Sequence, residues 1–106
     1  MRRGDVCWYT FQQPDKRRPV LVLTRDSAIH VLNSVTVAPI TSTIRSIPTE
    51  VVLTEADGLD EICAANFDNL QTVPKANIGS TITHLSSARM KAAAAAVGFA
   101  LGFVES

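Results

Sequence analysis

Through His84 the chain reads as short apolar runs broken by turn residues, and from Ser86 the spacing of its apolar positions changes. The stretch 5–11, DVCWYTF, is β-branched and aromatic and gives way to QQPDK, where Pro14 and Asp15 mark a turn. Val20 to Leu23 form a continuous apolar run behind Pro19, the pattern of a strand buried on both faces. Pro19 lacks an N–H, so it is expected at that strand's first position, where it biases Arg18 toward an extended backbone. SVTVAPI (34–40) and TEVVLT (49–54) alternate into third and fourth strands, and EADGLD turns around Gly58. EICAANF (61–67), LQTVP (70–74) and NIGSTITHL (77–85) supply further extended pieces. Strands this short and closely spaced predict a small barrel rather than a layered α/β fold.

After residue 85 the period lengthens. Ser86 or Ser87 can cap a helix in which Met90, Ala94, Val97, Leu101 and Val104 fall on one face. Its other face is mostly alanine, which fits either contact with a second subunit or a small, tolerant surface. The 106 residues therefore predict one domain, 1–106, mainly β with a C-terminal helix.

Composition adds limits. An apolar fraction of 46% and a charged fraction of 19% belong to a folded domain rather than a disordered one. The formal net charge is zero, which argues against an unselective nucleic-acid coat. The average conceals an asymmetry: seven basic against three acidic residues through Arg45, and three against seven after it. A polyanion can find a basic face on such a chain if folding gathers the early charges; ordinary solvated charges are the plainer reading. Cys7 and Cys63 lack a CxxC spacing and follow no signal peptide, so two free thiols in a cytoplasmic protein are expected. The uncharged stretch 92–104 is too short to span a bilayer, so no membrane partner is expected.

Most catalytic vocabularies are absent. No pair among His30, His84, Cys7 and Cys63 has metal-ligand spacing, no serine sits in a nucleophile elbow, and the glycines are too scattered to cradle a phosphate. Neither metal nor cofactor is expected. What remains is the cluster Lys16, Arg17 and Arg18, the hydroxyls of Thr41, Ser42 and Thr43, and the group Asn66, Asp68, Asn69 and Gln71. Guanidinium and hydroxyl together suit phosphate, since arginine offers a bidentate fork and threonine one directional donor. Amides add recognition of unstacked bases. Each segment also has a plainer reading: ITST as a turn after a strand, and Asp68-Asn69 as a two-residue hairpin bend.

Taken in order, RRGDVCWYTF, RRPVLVLTRD, VTVAPITSTIRSIPTEVVL, NFDNLQTVPKANIG and LSSARMKAA resemble the MazF/PemK toxin endoribonucleases of bacterial toxin–antitoxin pairs over essentially the whole chain. The resemblance implies an SH3-like barrel with a C-terminal helix, acting as a cytoplasmic homodimer. It implies a metal-independent ribonuclease that cuts single-stranded RNA at short sequences, leaving 2′,3′-cyclic phosphate and 5′-hydroxyl ends. The family's arginine before the PVLV strand falls on Arg18 and its threonine in the PIT segment on Thr41, the expected catalytic pair. Lys16, Arg17, Gln13, Ser42, Thr43, Asn69 and Gln71 are expected to bind RNA. A cognate antitoxin is the expected partner, laying an extended segment across the groove. Two departures shift the expected base preference: only QQPDK separates Phe11 from Arg17, and Asp68-Asn69-Leu70-Gln71-Thr72 carries no positive charge. A gyrase-binding toxin of the CcdB type shares the implied fold, but this chain ends LGFVES rather than in Trp-Gly-Ile.

Overall fold

The structure is a computed structural model that describes residues 1–11 and 17–104. Seven strands form one antiparallel sheet: β1 (Asp5–Thr10), β2 (Arg17–Val22), β3 (Ser34–Thr41), β4 (Glu50–Leu53), β5 (Cys63–Asn66), β6 (Gln71–Pro74) and β7 (Ile78–His84). Their order is β4-β5-β3-β2-β1-β7, and β6 joins β3 beside β5. A four-residue helix, α1 (Asp26–Ile29), links β2 to β3, and α2 (Ser87–Ala100) closes the chain. No ladder joins β4 to β7 among the described residues, so this is an open, barrel-like sheet in the SH3-like class.

The strands form because alternate side chains can be buried on both sides. On β2, Val20 and Val22 enter one core cluster with Cys7, Val35 and Val37, while Leu21 enters the other with Val6, Ala38 and Phe67. This is the burial on both faces that the run VLVL predicts. Phe67 is 1% exposed and anchors the cluster beneath α2; truncating such a side chain to alanine costs about 3–5 kcal/mol.

Three expectations need correction. Pro19 is the third residue of β2, not the first, and pairs with Trp8. It is tolerated because the β2–β3 ladder ends one residue away at Val20–Pro39, so little hydrogen bonding is lost there. The bend at Asp68-Asn69 is a 3-10 turn, Phe67–Asn69, capped when Asn66 Oδ1 accepts from the Asp68 N–H at 2.9 Å. On α2 the fully buried residues are Ala93 and Ala96, with Met90 and Val97 at their flank, whereas Leu101 and Val104 are 54% and 56% exposed. Small side chains let the helix approach β4 and the 3-10 turn closely, so Ala93 and Ala96 lie inward. The Ser86 cap forms as expected, its hydroxyl accepting from the Arg89 N–H at 3.2 Å.

Candidate active site

Two prolines end the β2–β3 ladder, and the candidate chemistry lies just beyond them. The last pair of that ladder is Val20 with Pro39, and Arg18 and Thr41 each stand two residues beyond it. Arg18 shares its face of β2 with Val20 and Val22; Thr41 shares its face of β3 with Val35 and Val37. Two clefts meet at this point, and Arg18, Ile40 and Thr41 line both. The catalytic pair expected from the sequence thus stands on the shared wall.

The first cleft, about 580 Å³, brings Arg18, Thr41 and Thr43 together with Asn69 and Gln71. Its volume lies within the usual range for small-ligand sites. The Thr43 N–H donates to Thr41 Oγ1 at 3.1 Å. That oxygen accepts there and keeps its own O–H available as a hydrogen-bond donor to a phosphate oxygen. Asn66 and Asp68 of the amide and carboxylate group also line it, as do Arg45 and Glu50, which no sequence pattern marks. Glu50 Oε1 accepts from the Arg45 N–H at 2.9 Å, while its buried Oε2 has no partner among the described residues. Asn66, which also lines the cleft, spends Oδ1 on capping the 3-10 turn. Ser46, with φ of 56°, holds a left-handed turn in the loop that carries Arg45.

The second cleft, about 510 Å³, opens on the other face of β2 and holds Arg17 and Ser42. The Arg17 guanidinium carbon lies 4.4 Å from the centroid of the Trp8 ring, a cation–π contact. Asp60 and Glu61 line the same cleft. Cys63 lies behind them, its thiol pKa pushed up by burial first and then by the charges of Glu61 and Asp57. Gln13 and Lys16, both expected to bind RNA, fall outside the described residues.

The early basic residues do not form one face. Arg17, Arg18 and Arg45 reach the clefts, whereas Arg3 and Arg25 line a separate groove beside α2. Carboxylates of Glu50, Asp68, Asp60 and Glu61 are interspersed with the cleft arginines, so the site is of mixed charge. Alternation along β1 places Trp8 opposite Cys7 and Tyr9, and a cation two positions from its cross-strand partner Pro19 is the signal that could have found the Trp8–Arg17 contact. Arg45 and Glu50 carry no such signal, because the long β3–β4 connection sets their position. Among the described residues, no three of His, Cys, Asp and Glu gather as a metal site would require, and no helix is long and apolar enough to cross a membrane.

A curled antiparallel sheet with a terminal helix, and an arginine and a threonine on the wall where two clefts join, fit a small toxin-type nuclease scaffold. The chain belongs to the PemK-like, MazF-like toxins of type II toxin–antitoxin systems, whose family model matches residues 2–101. It is 43% identical over 86 residues to endoribonuclease MazF3 of Mycobacterium tuberculosis, covering 81% of this chain and 84% of that protein. Identity to the probable endoribonuclease MazF5 of the same organism is 38% over 100 residues, covering 93% and 91%. Among solved structures, the M. tuberculosis toxin MazF-mt6 superposes with a TM-score of 0.85 at 38% identity, covering 92% of this chain and 96% of that one. A mycobacterial endoribonuclease in complex with its cognate antitoxin gives 0.86 at 25% identity, covering 100% and 99%. These matches do not favour the gyrase-binding alternative.

Proposed function

We propose that this toxin endoribonuclease cleaves single-stranded RNA at short sequences without a metal ion, leaving a 2′,3′-cyclic phosphate and a 5′-hydroxyl. The observation that carries the reading is that Arg18 and Thr41 both line the wall common to the two clefts. A strand crossing that wall would lay its scissile phosphate between them, with bases falling to either side. Thr41 Oγ1, already accepting from the Thr43 N–H, donates a hydrogen bond to a non-bridging oxygen and holds the phosphate. Arg18 neutralises the charge that grows on phosphorus as the 2′-oxygen attacks in line, and supplies a proton to the departing 5′-oxygen.

Arg17, Ser42, Thr43, Asn69 and Gln71 are proposed to contact RNA around that phosphate, with Gln13 and Lys16 at its approach. Repression falls to a cognate antitoxin, as in the mycobacterial relative solved with one. Pairing with a second copy in the bacterial cytoplasm is proposed through the exposed apolar side of α2, where Ala92 and Ala95 are exposed and Phe103 beyond the helix is 82% exposed.

The test is incubation of purified protein with single-stranded RNA in EDTA. Cleavage is expected, with Arg18→Ala and Thr41→Ala each abolishing it while circular dichroism is unchanged. Intact RNA beside a well-folded wild-type protein overturns the reading.

A further inference from the structure

The second cleft is more than the rear of the phosphate site. Its wall combines a flat cation with acceptors: the Arg17 guanidinium held over Trp8, and the exposed carboxylates of Asp60 and Glu61. Ion pairs among the described residues join Arg2 to Asp5, Asp5 to His84 and Arg89 to Asp57, so Asp60 and Glu61 are unpaired there. The cleft therefore offers stacking on one side and strong hydrogen-bond acceptors on another, beside the wall that carries Arg18 and Thr41.

We infer that this cleft is a nucleobase pocket that takes the base next to the scissile phosphate and selects one bearing an amino group. The inference rests on the ribonuclease reading of Arg18 and Thr41 for the path of the strand. A base stacked on the Arg17–Trp8 pair presents its edge to Asp60 and Glu61. Carboxylates accept from the amino groups of cytosine, adenine or guanine. Uracil offers a single N–H flanked by two carbonyl oxygens, which the carboxylates repel. A cationic side chain from a protein partner is disfavoured, because Arg17 and Arg18 line the same cleft. A neutral base carrying N–H donors meets no such penalty.

Trp8 is the only tryptophan of the chain, so its fluorescence reports occupancy of this cleft directly. The probes are tetranucleotides of deoxycytidine, deoxyadenosine and deoxyuridine, which lack the 2′-hydroxyl and cannot be cut. The cytidine and adenosine probes are expected to quench Trp8 with a Kd about tenfold below that of the uridine probe, the size of one base-edge contact. In Asp60→Asn/Glu61→Gln, which alters exposed side chains only, that advantage is expected to fall to about threefold or less, with Glu61→Gln alone intermediate. Equal affinities in the wild type, or a preference that survives in the double variant, overturn the inference. So does a double variant that loses antitoxin binding while keeping its base preference, since the cleft then belongs to a protein partner. RNA cleavage is scored separately. A wild type that shows the base preference yet leaves RNA intact refutes the ribonuclease reading and upholds the pocket; cutting without any preference refutes the pocket alone.

Discussion

Thr49 Oγ1 donates a 2.6 Å hydrogen bond to Asp68 Oδ2, tying the residue before β4 to the 3-10 turn that ends at Asn69. The tie is doubled by the main chain, where the Phe67 N–H donates to the Thr49 carbonyl at 2.9 Å. Thr49 is 8% exposed, so the bond is sheltered on one side although Asp68 itself reaches solvent. Hydrogen bonds to a charged acceptor are worth about 1.5–3 kcal/mol, and the exposed partner places this one at the low end. A double-mutant cycle of Thr49→Val and Asp68→Ala, read by urea unfolding, is expected to give a coupling of about 1 kcal/mol. The Thr49→Val protein is also expected to cut RNA more slowly, because the turn supplies Asn69, Leu70 and Gln71 to the first cleft.

Arg17 and Arg18 are adjacent in sequence but project to opposite faces of β2, and their substitutions should separate kinetically. Arg18→Lys keeps the charge and loses the bidentate fork, so kcat is expected to drop by about 100-fold with little change in KM. Arg17→Ala is expected to raise KM and to flatten the dependence of RNA affinity on salt by somewhat less than one unit in the log–log slope. Initial rates across a salt series measure both. Equal kcat losses for the two would contradict the division of labour.

Much of this arrangement is written in local sequence. The run Val20 to Leu23, the Ser86 cap and the turn at Gly58 follow from residue type and spacing, and the structure places each where those rules put it. Arg18, Thr41, Thr43, Asn69 and Gln71 meet in one cleft, and Arg17 and Ser42 in the next. What local rules could not supply is distance in the chain. Ala93 and Ala96 of α2 turn inward because β4 and the 3-10 turn lie close beneath them, and helical spacing alone favours the larger side chains. Helix α1 escaped notice because its four residues, DSAI, are too few to show a period. Arg45, Glu50, Asp60 and Glu61 reach the clefts on loops and strand ends whose course is set by tertiary contacts.

Acid should expose a second tie. Arg89 Nε donates to Asp57 Oδ1 at 2.9 Å, and this bond, aided by the Thr54 backbone, holds the Asp57 carboxyl below its ordinary value of 3.8. A carboxyl depressed on folding contributes stability that is fully present above its unfolded pKa and is lost as pH falls through the folded one. The stability gap between wild type and Asp57→Asn is therefore expected to be constant from neutrality down to about pH 5 and to close progressively below 3.8. Urea unfolding at a series of pH values measures it. A gap that widens on acidification would show that the pair is not the cause.

Both thiols should be silent in the native protein. Burial pushes the Cys7 thiol pKa up, a shift its hydrogen-bonding contact with Thr81 only partly offsets, and Cys63 is raised for the same first reason. A raised thiol pKa leaves little thiolate near neutrality, and both side chains are shielded from reagents. Ellman's reagent at pH 7.5 is expected to titrate no thiol before unfolding and both after it.

Gly58 ends the 3-10 turn Glu55–Asp57 with φ of 97°, and a β-carbon there would collide with the Thr83 hydroxyl and Cβ. Gly58→Ala therefore combines an unfavourable backbone angle with a clash, and the Thr83 hydroxyl cannot simply retreat because it donates to the Asp57 carbonyl at 3.0 Å. The expected loss is about 2–3 kcal/mol in thermal or urea unfolding. Adding Thr83→Ala removes the contact with the hydroxyl but leaves the contact with Cβ and the strained angle, and so is expected to recover only part of that loss. The loop that follows Gly58 carries Asp60 and Glu61 into the second cleft, so Gly58→Ala should also blunt base discrimination at a temperature where the protein remains folded. A variant that keeps full stability would mean that the turn can rebuild itself without its left-handed residue.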